Sequence, residues 1–148
     1  MTTPDPMTPM TPAVDLERER EALLAVHTLD RRAHFETSVP LILEHAAEEF
    51  ISVARGAISL STREEVAQMF EVSFHDAVYS AWDDLEPPVI RISADATMAW
   101  MIVRTHVRRT EPDGEGGRRE REFVYAGIMT YEKRDGRWLR VANVSTFE

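Results

Sequence analysis

The chain has 148 residues, 43% of them hydrophobic, a formal net charge of -9 and no cysteine. That length suits one domain with its own core, and the missing thiols exclude disulfides, thiolate catalysis and Cys-ligated zinc. The acidic balance argues against a nucleic-acid partner, since nonspecific affinity for phosphates comes from Lys and Arg, and no apolar run approaches the about 18 residues of a membrane span. With neither a basic n-region nor an apolar leader at its N-terminus, the chain is expected in the cytoplasm.

Residues 1 to 13 hold Pro4, Pro6, Pro9 and Pro12 with little that is apolar, so they are expected to form a disordered arm. Residues 14 to 148 then form a single domain. Val14 to Glu36 mixes charged and apolar residues at helical spacing with no Gly or Pro, which predicts a first helix with Leu16, Leu23, Val26, Asp30, Ala33 and His34 roughly on one side. Thr37 and Ser38 offer an N-cap, and Pro40 fits the first turn of a second helix, Val39 to Glu48. Phe50 to Arg55 alternates and stops at Gly56, so it reads as a strand. Ser61 or Thr62 caps a third helix through His75, with Glu64 and Glu65 in its first turn and Val66, Met69, Phe70 and Phe74 on its apolar face. Strands are expected at Val78 to Leu85 and, beyond Pro87-Pro88, at Val89 to Ser93.

The remainder is dominated by three long runs, 97–110, 118–134 and 137–147, rich in Val, Ile, Thr, Tyr, Phe and Trp. A polar loop at 111–117 and an Asp135-Gly136 turn separate them, which is the pattern of an antiparallel meander. Strands this long must twist and curve, and Gly127, alone inside one, is the natural bending point. The helices of the first half are expected to fill the concave side. The fold class is therefore α+β.

This order of elements, the stretch Ala47-Glu48-Glu49-Phe50-Ile51-Ser52-Val53 taken as closing the second helix, and Tyr131 followed by Asp135-Gly136-Arg137-Trp138 resemble the nuclear transport factor 2-like (NTF2-like) superfamily. The nearest flavour is its SnoaL-like, ketosteroid-isomerase-like branch, and the likeness covers about residues 15 to 147. It implies a cone: three N-terminal helices in the concave face of a strongly curved, mainly antiparallel sheet, a deep pocket between them, and usually a dimer. In ketosteroid isomerase an aspartate base works beside an oxyanion hole of a tyrosine and a protonated aspartate. Counted onto this chain, the tyrosine position falls on Asp30, the base near Ala54 and the protonated acid near Gly127. None of the three side chains is retained.

A loop centred near Gly114 places Arg104 opposite Tyr125 and His106 opposite Phe123, while the Asp135-Gly136 turn pairs Arg134 with Arg137 and Tyr131 with Arg140. One face then carries Trp100, Ile102, Arg104, His106, Tyr125, Gly127, Met129 and Arg140. The other carries Ala99, Met101, Val103, Val124, Ala126, Ile128, Val141 and Asn143. Because the family's catalytic acid would project at Gly127, the first face is assigned to the pocket and the second to sheet-to-sheet dimer packing.

Asp30 and His34 lie one helical turn apart, so a carboxylate can orient an imidazole and raise its pKa, the arrangement of a general base or acid. An ordinary surface pair, or a satisfied core histidine, is the alternative. Arg104, His106 and Tyr125 could hold an anionic or enolate-like oxygen, with Trp100 and Met129 as apolar ligand contacts. The alternative here is a solvated hairpin tip, for between Arg109 and Glu122 there are four Arg and five acidic residues. His27, His45 and His75 lack metal-ligand spacing, and no phosphate loop or nucleophile elbow occurs, so neither metal nor cofactor is expected. Two functions remain: a cofactor-independent isomerase, lyase or cyclase acting on a small hydrophobic molecule, or a non-catalytic dimeric module that binds a ligand or a partner protein.

Overall fold

A computed structural model describes residues 13 to 148. Apart from Ala13, the Pro-rich arm expected over residues 1 to 13 lies outside the described residues. Helix α1 (Leu16–Phe35) starts where the Asp15 carboxylate accepts from the Arg18 N–H at 3.2 Å, and its buried side carries Leu23, Val26, Ala33 and His34. It stops at Thr37, whose φ of 46° no helix accepts. Ser38 then caps α2 (Val39–Leu43), its hydroxyl accepting from the Leu41 N–H. Strand β1 (Ala46–Ala54) turns through Arg55 and Gly56, both at positive φ, into β2 (Ala57–Thr62). A reciprocal Thr62–Glu65 capping box opens α3 (Arg63–Phe74). The remaining strands are β3 (Val78–Asp84), β4 (Val89–Ile92), β5 (Met98–Pro112), β6 (Arg118–Arg134) and β7 (Arg137–Phe147).

Two expectations fail between residues 44 and 60. The second helix ends at Leu43, not Glu48, and the Ala47-to-Val53 stretch lies wholly in β1. Parallel pairing with β7 overrides the local helical preference: the Arg140 N–H donates to the His45 carbonyl at 2.7 Å, and Ile51 to Val53 pair with Ala142 to Val144. Strand β2 was not expected at all; Arg55-Gly56 forms a two-residue hairpin turn rather than a strand end.

The sheet is open and mixed. Its order is β2-β1-β7-β6-β5-β3, with β4 also pairing β5, and only β1 with β7 runs parallel among these pairs. Two helices precede the first strand and the third follows the β1–β2 hairpin. One sheet face meets them, and the core forms there from Leu23 and Val26 of α1, Phe74 of α3, and Met101, Val103, Val107 and Tyr131 of the meander. At the domain's edge Glu19 of α1 ties the β6–β7 turn down, accepting from Trp138 Nε1 at 2.7 Å and pairing with Lys133.

The Asp135-Gly136 turn pairs Arg134 with Arg137 and Tyr131 with Arg140 as expected. The β5–β6 loop does not follow expectation, because Pro112 pairs with Arg118 and leaves an odd loop of residues 113–117, held by Asp113 Oδ1 accepting from the Glu115 and Gly117 N–H groups. That moves the register by one: Arg104 faces Ala126 and His106 faces Val124. Since side chains alternate along a strand, every β5 residue changes face.

Candidate functional site

Against the helices the register stacks Thr105, Tyr125 and Phe147 in one row, and Met101, Met129 and Asn143 in another. Between β6 and β7 the pairing jumps from Tyr131–Arg140 to Thr130–Ala142, so Val141 is an extra residue. This bulge turns both Arg140 and Asn143 toward the inner face, where strict alternation would separate them. Facing these strands, α1 supplies Asp30 and His34 and α3 supplies Phe70 and Ser73, and together they line a cavity of about 320 Å³. A second cavity of about 300 Å³, between α3 and the β1–β2 hairpin, shares Phe70, Arg140 and Asn143 with the first.

His34 is buried in aromatic surroundings. It stacks on Trp82 with centroids 3.6 Å apart and receives the edges of Phe74 and Tyr79 at 5.4 Å each. Its Nδ1 bonds the Asp30 backbone carbonyl at 2.7 Å, which fixes Nδ1 as the protonated nitrogen and leaves the Nε2 lone pair as the basic site. Burial pushes this imidazole below the usual histidine range; the Asp30 charge and carbonyl oppose that without reversing it.

The Asp30 carboxylate does not touch the His34 ring. It accepts instead from Arg140 Nη1 at 3.3 Å, and the other end of that guanidinium approaches the Tyr131 hydroxyl at 3.5 Å. Burial, the largest single influence, would raise the Asp30 carboxyl, but the Arg140 charge and hydrogen bond together with the nearby His34 and His27 outweigh it and keep the group below the ordinary aspartate value. Burial, and then the Asp30 charge, raise the Tyr125 phenol, so it stays a neutral O–H donor. Arg140 Nε and Asn143 Oδ1 are buried with no hydrogen-bond partner among the described residues.

Of the ligand contacts expected from sequence, Tyr125 and Met129 line the cavity. Trp100, Arg104 and His106 lie on the opposite sheet face because of the odd loop; there His106 Nε2 pairs with Glu122 at 2.7 Å, and Arg104 reaches Glu86 only at 3.9 Å. Of the positions counted from the isomerase, Asp30 is in the cavity, Ala54 ends β1 at the hairpin turn, and Gly127 lies on the inner face between Val103 and Ser145. Met101 and Val103, assigned to a dimer face, are fully buried core. Asn143 was placed on the wrong face by the unforeseen bulge. Arg109 was read as part of a solvated tip, yet it is buried, donating to the Tyr79 hydroxyl at 2.6 Å and to the Ser73 carbonyl at 3.1 Å. Among the described residues no group of three His, Cys, Asp or Glu side chains could hold a metal ion, and no helix is long and apolar enough to cross a membrane.

No protein-family model matches the sequence, and no curated protein matches it. The fold does match solved structures. An NTF2-like protein from Cytophaga hutchinsonii aligns with TM-score 0.67 at 14% identity, over 86% of this chain and 96% of that one. A ketosteroid isomerase-like protein from Erwinia carotovora atroseptica aligns with TM-score 0.66 at 14% identity, over 87% and 95%. An NTF2-like protein with a cystatin-like fold from Novosphingobium aromaticivorans aligns with TM-score 0.65 at 14% identity, over 88% and 82%. The chain has the NTF2-like fold.

Proposed function

We propose that this chain is a small-molecule-binding domain of the cone-shaped, ketosteroid-isomerase-like kind, in which His34 moves a proton on a hydrophobic ligand. The reaction class is a cofactor-independent isomerisation, elimination or cyclisation. One observation carries this reading: His34 is held neutral by burial in the wall of a cavity, with Nδ1 committed to a backbone carbonyl so that Nε2 is the base. Such a group accepts a proton from a C–H beside a carbonyl without first losing one. The Arg140 charge and the neutral Tyr125 O–H are suited to the oxygen that gains charge in that step. Asp30 acts through both neighbours, by its charge on His34 and its ion pair with Arg140.

The test begins with the small molecule that copurifies with the protein, identified by mass spectrometry after denaturation. Incubated with the protein in D₂O, it should take up deuterium at its acidic carbon, and His34→Gln should abolish the uptake while binding persists. Binding without deuterium uptake in the parent protein would make the domain a non-catalytic ligand module instead.

A homodimer through the outer sheet face belongs to the same proposal. On that face Ile58, Val53, Val144, Ile128, Ile102 and Val89 stand directly opposite one another across six strands. Ile58 is 79% exposed, and Val144, Ile102 and Val89 are each 42% exposed. A continuous apolar row of this kind, turned away from the helices, suits a second copy of itself packed face to face.

A further inference from the structure

We infer that the ligand is an organic anion, a flat hydrophobic molecule whose carboxylate is taken by Arg121, beside the buried charge of Arg109, at one end of the first cavity. This rests on the cavity being a ligand site, as proposed above, and adds the chemical class and the ligand's direction in it. Three guanidiniums line the cavity, Arg109, Arg121 and Arg140, against one carboxylate, Asp30, in a chain whose overall charge is -9. Asp30 is committed to Arg140. At the other end Arg109 of β5 and Arg121 of β6 are direct cross-strand partners, a placement in which like charges repel. The local counter-charge is Glu111, which Arg109 meets at 2.9 Å while Arg119 and Arg121 each meet it at 3.4 Å. One carboxylate shared by three guanidiniums leaves positive charge in excess, and Arg109 Nε is buried without a hydrogen-bond partner among the described residues.

Direction follows from the strand. Inner-face positions along β6 run Arg121, Phe123, Tyr125, so four residues at about 3.3 Å each put the Arg121 backbone about 13 Å from that of Tyr125. Phe123, between Arg121 and Tyr125 on β6, and Phe147, with ring centroids 5.9 Å apart, supply apolar lining to the cavity. A carboxylate at one end of a two-ring body would sit at Arg121, beside Arg109, with its far edge toward His34. Arg121 is half exposed, so a ligand can reach it without opening the core.

The test uses 2-naphthoate and its neutral counterpart 2-naphthamide, titrated calorimetrically into the full chain. Charge-assisted hydrogen bonds should make naphthoate bind about tenfold or more tightly than naphthamide. Arg121→Gln, at an exposed position, should remove most of that difference by weakening naphthoate binding far more than naphthamide binding. Equal affinities for the two compounds would overturn the anion inference while leaving the pocket intact. A naphthoate preference that survives both Arg121→Gln and Arg109→Gln would overturn the assigned end. Binding of neither compound would count against the pocket itself as well as against the anion.

Discussion

Arg140 and Asp30, 110 residues apart in sequence, form a largely buried ion pair between β7 and α1, Nη1 to Oδ1 at 3.3 Å, with side chains 18% and 11% exposed. The pair places a permanent positive charge in the wall of both cavities. Removing one partner strands the other in a poorly solvated site. Arg140→Met should therefore destabilise the domain by about 3 to 5 kcal/mol in urea denaturation, and adding Asp30→Leu should recover part of the loss. A loss below about 1 kcal/mol, the range of surface pairs, would show that water reaches Asp30.

Gly127 is set by space rather than by turn geometry. A Cβ there would lie 2.8 Å from the Val144 carbonyl oxygen, a backbone atom of the neighbouring strand that cannot rotate away. Gly127→Ala should cost about 1 to 3 kcal/mol through local overpacking, read as a lower denaturation midpoint. An unchanged midpoint would mean that β6 and β7 separate there at little cost.

Acid should weaken the fold in two stages. His34, Asp30 and Glu111 all have folded pKa values below their ordinary ones, so the unfolded chain binds more protons as pH falls and stability drops with it. For His34 the loss begins below the unfolded value of about 6.5, and for the carboxyls below about 4. Thermal midpoints measured from about pH 7.5 to 4.5 should fall in the parent protein and fall less in His34→Gln across the upper part of that range. Parallel curves would show that His34 pays no penalty for charging when folded.

The outer apolar row gives a direct test of assembly. Ile102→Arg and Val144→Arg put a charge at opposite sides of the Ile128 position, on a face where neither substitution touches the core. Each should convert a dimer seen by light scattering at micromolar concentration into a monomer with an unchanged circular dichroism spectrum. A monomeric parent protein would contradict the proposed interface.

Hydrophobic alternation and turn chemistry made most of the fold legible. Asp135-Gly136 set the β6–β7 register at the turn, Ser61 or Thr62 ahead of Glu64 and Glu65 marked the start of α3, and the runs at 118–134 and 137–147 match their strands in full. What escaped was parity. One residue in the 113–117 loop decides whether Trp100 or Met101 points at the helices, and Gly-rich segments accept either count without a compositional sign. The Val141 bulge is silent for the same reason, and it decides the facing of Asn143. Arg109 was hidden differently: a buried arginine among solvated ones shows itself only through Tyr79 and Ser73, 30 and 36 residues away. Asp30 and His34 were legible as neighbours, but helical spacing brought His34 to the Asp30 carbonyl rather than to its carboxylate.

The proposed chemistry turns on His34 being a neutral base whose affinity for protons is set by burial and by Asp30. NMR titration of the His34 ring measures this in the parent protein and in Asp30→Asn, which keeps the shape and removes the charge. His34 should titrate below the ordinary histidine value in the parent and lower still in Asp30→Asn, where the raising influence is gone and the Arg140 charge is no longer matched. Identical curves in the two proteins, or a parent His34 that titrates like a solvent-exposed histidine, would contradict it.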